Sequence, residues 1–450
     1  MRISVIGTGY VGVVHAACLA NIGHEVLGVD IDEARIAELA RARAPIFEPG
    51  LDGLLARMVR EGRLRFSTSL AEAARFARTH FVCVGTPQQP TGPAADLRYV
   101  DAVVDGIAPH LRPGSLIVGK STVPVGTTAR LAERLSATAP QSEIAWNPEF
   151  LREGFAVHDT MHPERLVVGV TSPWAEARLR EIYRPMVSAG VPFFSMNPST
   201  AELVKVAANS FLATKISFIN AMAEICEAVG ADVVTLADAV GKDARIGRQF
   251  LQPGLGFGGS CFPKDIRAFA ARAQELGVGD AVAFLHQVDE TNLRQRRRAV
   301  DIARGLVGGS FTGRNVAVLG AAFKPGSDDV RDSPALDVAA TIQEEGAEVR
   351  VHDPEAVDNA RPLFPELQYT LDVSKACEDA DVLLHLTAWP EYRRISPAGL
   401  AATVRTPKIL DARHGLDLAM WRSAGWTVRA LGRSAADDPW SATPARTTEA

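Results

Sequence analysis

An α/β protein with two doubly wound parallel sheets, joined by a central helical region with one long helix, is what this sequence predicts. Two stretches of the chain alternate short β-branched runs with segments of helical spacing, the pattern of parallel strands connected by helices. Between them, no proline or glycine interrupts the chain from Thr200 to Val229, room for about eight helical turns. At 450 residues the chain exceeds one ordinary core, so several domains are expected.

In the first stretch, RISVIG, HEVLGVD, HFVCVGTP and SLIVGKSTVP read as strands, with helices at 32–43 and 96–108. RLVVGV (165–170) and VPFFSM (191–196) extend the same parallel pattern. Ser199 or Thr200 can cap the long helix and Gly230 can end it. Such a helix is either a buried linker or a subunit interface. In the last stretch, NVAVLG, EVRVHDP, DVLLHLT, KILDAR and TVRALG are the strands. The expected division is 1–197, 198–300 and 301–432, with a polar, disordered tail at 433–450.

The net charge of −5 argues against a nucleic-acid partner. Charged residues interrupt every apolar run, so no membrane span is expected, and the N-terminus lacks the pattern of a signal peptide. Five scattered cysteines (18, 83, 226, 261 and 377) suit a reducing cytoplasm better than a disulfide framework. His158 and His162 have a spacing that can hold a metal, but Pro163 follows and no third ligand is near, so none is expected.

VIGTGYVG places Gly7-x-Gly9-x-x-Gly12 between the first strand and a helix. Gly7 serves the tight turn, Gly9 lets backbone approach a pyrophosphate, and Gly12 lets helix pack on strand. Asp30 ends the second strand, where a carboxylate accepts from ribose hydroxyls and repels a 2′-phosphate, favouring NAD over NADP. Arg35 stacks near the adenine or pairs with acids. The alternative is a glycine turn without a ligand.

In FGGSCFPKD, Cys261 follows a glycine turn and Pro263 favours a helix start, so the thiol sits where unpaired N–H groups stabilise a thiolate. Asp265 is one turn further on. The alternative is a small buried cysteine. With a dinucleotide, the reactive reading gains weight: a thiolate adds to an aldehyde, and oxidation of the adduct gives a thioester that water cleaves. Lys205 and Asn209, four apart on the long helix, share a face and suit an oxygen that becomes negative. Their alternative is a solvated surface, which the apolar LVKVAA context opposes. Thr122 and Thr86 end strands at the ligand-binding edge of the sheet.

In order, GTGYVG, VGTP, KSTVPVGT, NPEFLREG, AELVKVAANSFLATKISFIN, DARIG, FGGSCFPKD, FKPGSDDVRDSP and DAR resemble the UDP-glucose/GDP-mannose dehydrogenase family. The resemblance runs from Met1 to about residue 430. It implies two Rossmann-like domains and NAD-dependent four-electron oxidation of a UDP-sugar, with two NAD+ per turnover. Cys261, Lys205, Asn209, Asp265, Glu149 and Thr122 then carry the chemistry. Tyr10, Val11, Thr86, Thr122, Glu153, Lys264 and Arg331 join Gly7, Gly9, Gly12, Asp30 and Arg35 around the cofactor. Glu149, Phe150, Leu151, Glu153, Phe250, Leu251, Gly254, Phe257, Gly258, Phe323, Lys324 and Arg413 fall to the substrate, with Lys205, Asn209 and Cys261. Arg245 matches an arginine supplied by a neighbouring subunit, implying at least a homodimer. Phe257 and Gln252 depart from the family, where tyrosine and lysine are common. SCFPKD favours UDP-glucose over GDP-mannose or an N-acetylhexosamine substrate. A single-step hydroxyacid dehydrogenase needs neither the cysteine nor the second α/β unit, and a non-catalytic NAD-binding regulator needs none of the four reactive residues.

Overall fold

The computed structural model describes residues 1–433. Apart from Arg433, which bridges Asp232, the expected tail lies outside them. Met1–Asn209 with Lys264–Ala283 form one compact unit, and Ser210–Pro263 with the described residues 284–433 form a second.

The first unit holds eight strands: β1 (Arg2–Ile6), β2 (Glu25–Val29), β3 (Leu64–Ser67), β4 (Thr79–Val82), β5 (Leu116–Gly119), β6 (Glu143–Trp146), β7 (Leu166–Gly169) and β8 (Phe193–Met196). Their order is β3-β2-β1-β4-β5-β6-β7-β8. Successive side chains go to opposite faces, and both faces are covered. Phe81, Leu116 and Val118 join Val13 and Leu19 of the first helix (Tyr10–Asn21) in one core. Val82 and Ile117 join Val100, Val104 and Leu131 in another.

One pairing departs from the expected parallel pattern: β7 runs antiparallel to β6, meeting it at Trp146 and Gly169. The chain after β6 turns back at the C-terminal edge. Its short helix, Ala156–Met161, packs beside the first helix, so no crossover carries it to the other edge.

The second unit holds β9 (Asn315–Leu319), β10 (Glu348–His352), β11 (Gln368–Thr370), β12 (Val382–His385), β13 (Lys408–Asp411) and β14 (Thr427–Ala430). They are all parallel, in the order β11-β10-β9-β12-β13-β14. In each sheet the order reverses beside the first strand, and loops leaving the carboxyl ends there are placed to bind ligands.

The long helix spans Pro198–Val229. Its cap is Asn197 rather than Ser199 or Thr200, for Asn197 Oδ1 accepts the Thr200 N–H at 2.9 Å. Pro198 fills the first helical position, where a missing N–H costs nothing. Gly230 ends the helix in the left-handed region (φ 72°), and Ala231 N–H returns to the Cys226 carbonyl. No helix among the described residues is long and apolar enough to cross a membrane.

Candidate active site

In the first unit, the loop after β1 is shaped for a dinucleotide. Gly7 has φ 89°, and a Cβ there would lie 2.8 Å from the Val84 backbone nitrogen; one on Gly12 would lie 1.7 Å from the Gly7 carbonyl oxygen. A Cβ on Gly9 would meet nothing within 4 Å. Gly7 and Gly12 are thus required by the fold, whereas Gly9 leaves open space where a pyrophosphate would approach. No side chain caps the helix that begins at Tyr10 and no acid stands in its first turn, so its N–H groups suit an anion.

Asp30 Oδ2 accepts the Thr8 N–H at 2.7 Å and Arg35 Nη1 at 3.2 Å, while Oδ1 accepts Asp32 N–H. Burial pushes this carboxyl up, but Thr8, Asp32 and Arg35 outweigh it and hold the carboxyl below its ordinary range. Arg35 also reaches Asp32, which places it with acids. These residues fit NAD: glycine backbone and the helix start for the pyrophosphate, Asp30 for the ribose.

The candidate catalytic side chains of this unit are paired. Lys205 and Asn209 lie one turn apart on the long helix and both are buried. Lys205 Nζ is 2.9 Å from Glu149 Oε1, and Asn209 Nδ2 donates to Asp265 Oδ2 at 2.7 Å. Lys264 Nζ meets the other Asp265 oxygen at 2.5 Å. Glu149 Oε2 accepts the Leu151 N–H at 2.8 Å, which folds the NPEF turn back on itself. The Phe150 ring lies 5.6 Å from Lys205 Nζ. Thr86 and Thr122 stand a few residues beyond β4 and β5 rather than ending them, and Thr86 Oγ1 donates to the Thr122 carbonyl at 2.7 Å. A cleft of about 380 Å³ gathers Thr86, Thr122, Val206, Lys264, Asp265 and Arg272.

Other residues of this unit build the site without having been picked out. Glu202, one turn before Lys205, accepts N–H groups of Gly126 and Thr128 at 2.7 Å each, joining the long helix to the KSTVPVGT loop. Burial raises its pKa. Glu48 accepts the Tyr10 hydroxyl and the N–H groups of Gly154 and Ala156, so it ties the chain just after Glu153 to the start of the first helix. Lys120 donates to Asn147 Oδ1 at 3.1 Å, and burial pushes its ammonium down to about 8. A carboxylate in the apolar run of the long helix was a signal for Glu202. No local pattern marks Glu48.

In the second unit, Cys261 immediately precedes the helix Phe262–Glu275, as the proline implies. Cys18, Cys83, Cys226 and Cys377 are buried and Cys261 is half-buried, and none of the five is in a disulfide. Burial pushes the thiols of Cys18, Cys83 and Cys377 up to about 12. The segment before Cys261 lies along the carboxyl edge of the second sheet, where Leu255 N–H donates to the Ala412 carbonyl and Gly259 N–H to that of Arg331. A Cβ on Gly254 would lie 2.6 Å from the Ala412 carbonyl oxygen, and one on Gly258 would lie 2.2 Å from that of Asp332. Both glycines are therefore fixed by close backbone approach.

Phe250 adopts φ 64°, and the Leu251 side chain is buried among Ile219, Ala223 and Val233. Phe323 packs against Gly259, with Lys324 Nζ 5.4 Å from its ring centroid. Arg413 donates to the backbone carbonyls of Leu386 and Gly256 at 2.7 and 2.8 Å. Burial and the Arg296 charge push it down to about 10. Arg331 pairs with Asp329 at 2.7 Å. Arg245 is brought to no other predicted residue; it pairs with Asp243 and is 88% exposed.

Residues 1–187, 199–294 and 317–418 match, in order, the NAD binding, central and UDP binding domains of the UDP-glucose/GDP-mannose dehydrogenase family. The chain is 44% identical over 438 residues to UDP-glucose 6-dehydrogenase TuaD of Bacillus subtilis, covering 96% of this chain and 94% of that one. It is 42% identical to UDP-glucose 6-dehydrogenase of Rhizobium meliloti, covering 92% and 95%. Its fold is similar to a UDP-glucose dehydrogenase from Pyrobaculum islandicum, with a TM-score of 0.88 and 38% identity over 96% of this chain and 98% of that one.

Proposed function

The chain belongs to the UDP-glucose/GDP-mannose dehydrogenase family, and from that premise we propose that it oxidises UDP-glucose to UDP-glucuronate in two steps on Cys261. The observation that carries the reading is the contrast among the thiols: four are buried, and the half-buried one stands at a helix start after a glycine turn. NAD, bound at the Gly7–Gly12 loop, supplies the hydride acceptor for each oxidation.

The protein's own groups do the rest. Asp265, steadied by Asn209 and Lys264, orders a water that takes the proton of the 6-hydroxyl as the alcohol becomes an aldehyde. Cys261 sulfur then bonds to the aldehyde carbon. Lys205 and Asn209 stabilise the oxyanion of this thiohemiacetal, a role for which a buried ammonium and amide are suited. Oxidation of the adduct leaves a thioester. Water ordered by Thr122, Glu149 and Asp265 cleaves its C–S bond, releasing the carboxylate and the thiolate. Glu153 and Arg331 border the cofactor in this reading, and Lys324 meets the diphosphate. The segment 198–300 acts as the central domain that carries the nucleophile.

The same reading makes the enzyme at least a dimer. Phe211, Phe218 and Ile225 recur at intervals of seven on the long helix and are 66%, 49% and 55% exposed, an apolar stripe that supports a subunit interface there. Five cysteines without a disulfide suit a reducing cytoplasm.

Stoichiometry tests the chemistry. UDP-glucose should give two NADH per sugar acid, and Cys261→Ser should stop after the first oxidation or at a slow ester. One NADH per product, or normal acid formation by Cys261→Ser, excludes the covalent route. Faster turnover of GDP-mannose in parallel assays would reassign the substrate.

A further inference from the structure

The segment from Phe250 to Ser260 delivers Cys261 to its helix, and one residue outside every motif holds its middle. Asn292, on the helix Phe284–Leu306, is 1% exposed. Its Oδ1 accepts the Phe257 N–H at 2.7 Å, and its Nδ2 donates to the Phe257 carbonyl at 2.9 Å. One amide thus satisfies both main-chain groups of one residue, as a hydrogen-bonded strand neighbour would. Arg296, one turn along, adds a bond to the same carbonyl at 3.3 Å and pairs with Asp332 at 2.8 Å. Gly256 permits the approach, because a Cβ there would lie 2.3 Å from Asn292 Oδ1. The Phe257 ring stands edge-on to Phe262, centroids 5.8 Å apart, and Phe262 adjoins Cys261 in the chain.

We propose that Asn292 is a positioning residue for the nucleophile: it fixes the Phe257 backbone, and thereby where Cys261 enters its helix. The proposal rests on the reading of Cys261 as the covalent nucleophile. Four of the six residues from 254 to 259 are glycines, namely Gly254, Gly256, Gly258 and Gly259, so the loop's own preferences define little and outside bonds must define it. A displacement of about 1 Å at a reacting group costs about 100-fold in rate.

The test compares full-length wild type, Asn292→Ala and Asn292→Asp, each normalised to folded protein by its thermal melt. NADH formation from UDP-glucose is measured together with the rate of Cys261 alkylation by iodoacetamide. In Asn292→Ala, kcat should fall by about 100-fold, with the KM for NAD+ unchanged and the alkylation rate altered. Asn292→Asp keeps the acceptor for Phe257 N–H and should recover part of the loss. Unchanged kcat and alkylation per folded Asn292→Ala molecule would overturn the proposal. If that variant does not fold, Asn292→Asp decides alone: a lower kcat at unchanged NAD+ KM supports the role, and wild-type kcat removes it. A wild type that forms no NADH from UDP-glucose defeats the functional reading instead, and the alkylation comparison still tests the positioning.

Discussion

Lys205 and Glu149 face each other at 2.9 Å with side chains 5% and 8% exposed, so each charge depends on the other. Removing one partner of a buried pair typically costs about 3–5 kcal/mol, whereas replacing both with apolar residues of similar size is close to neutral. Lys205→Met should therefore destabilise by several kcal/mol in urea unfolding, and adding Glu149→Leu should restore most of it. Turnover should stay at least about 100-fold down in both, since the double variant restores no donor for the oxyanion. A double variant with recovered activity would remove Lys205 from the chemistry. The i, i+4 spacing of Lys205 and Asn209 made their shared face legible. Their carboxylate partners come from 56 residues on in one pair and from 56 residues earlier in the other, and no local pattern links such positions.

The loop after β13 shows how an element places a side chain. Asp411 accepts the N–H groups of Arg413 and Leu416 at 3.0 Å each and bonds His385 Nδ1 at 2.7 Å. Burial raises its pKa, but the His385 bond and charge and the Arg413 N–H overcome this and hold it at about 2, below the usual 3.8. A depressed folded-state value stabilises above the unfolded pKa, and that stability is lost as pH falls through the folded one. Asp411 should contribute about 2 kcal/mol above pH 4 and lose it between about pH 4 and 2. Asp411→Asn should thus be less stable at pH 7, with a flatter stability profile across that acid window; equal acid slopes for variant and wild type would contradict the assignment. DAR was legible as a motif. That its arginine is held by backbone carbonyls required the fold, because Leu386 and Gly256 are distant in sequence.

At the scale of the molecule, the six strands of the second sheet repeat the order of the first six strands of the first sheet, and the glycine fingerprint after β1 is missing after β9. If the exposed stripe on the long helix is the dimer interface, Phe218→Glu should convert the enzyme to monomers in sedimentation velocity; an unchanged assembly would move the interface elsewhere. The sequence by itself determined the doubly wound class, the dinucleotide loop, the long helix and the helix start at Cys261. Each is written in local periodicity, glycine placement or capping chemistry, which act over a few residues. The tertiary structure decided the antiparallel return of β7, the pairing of Lys205 with Glu149 and of Asn209 with Asp265, and the hold of Asn292 on Phe257. Those depend on which distant segments can satisfy buried charges and backbone groups, and no short-range pattern encodes that choice.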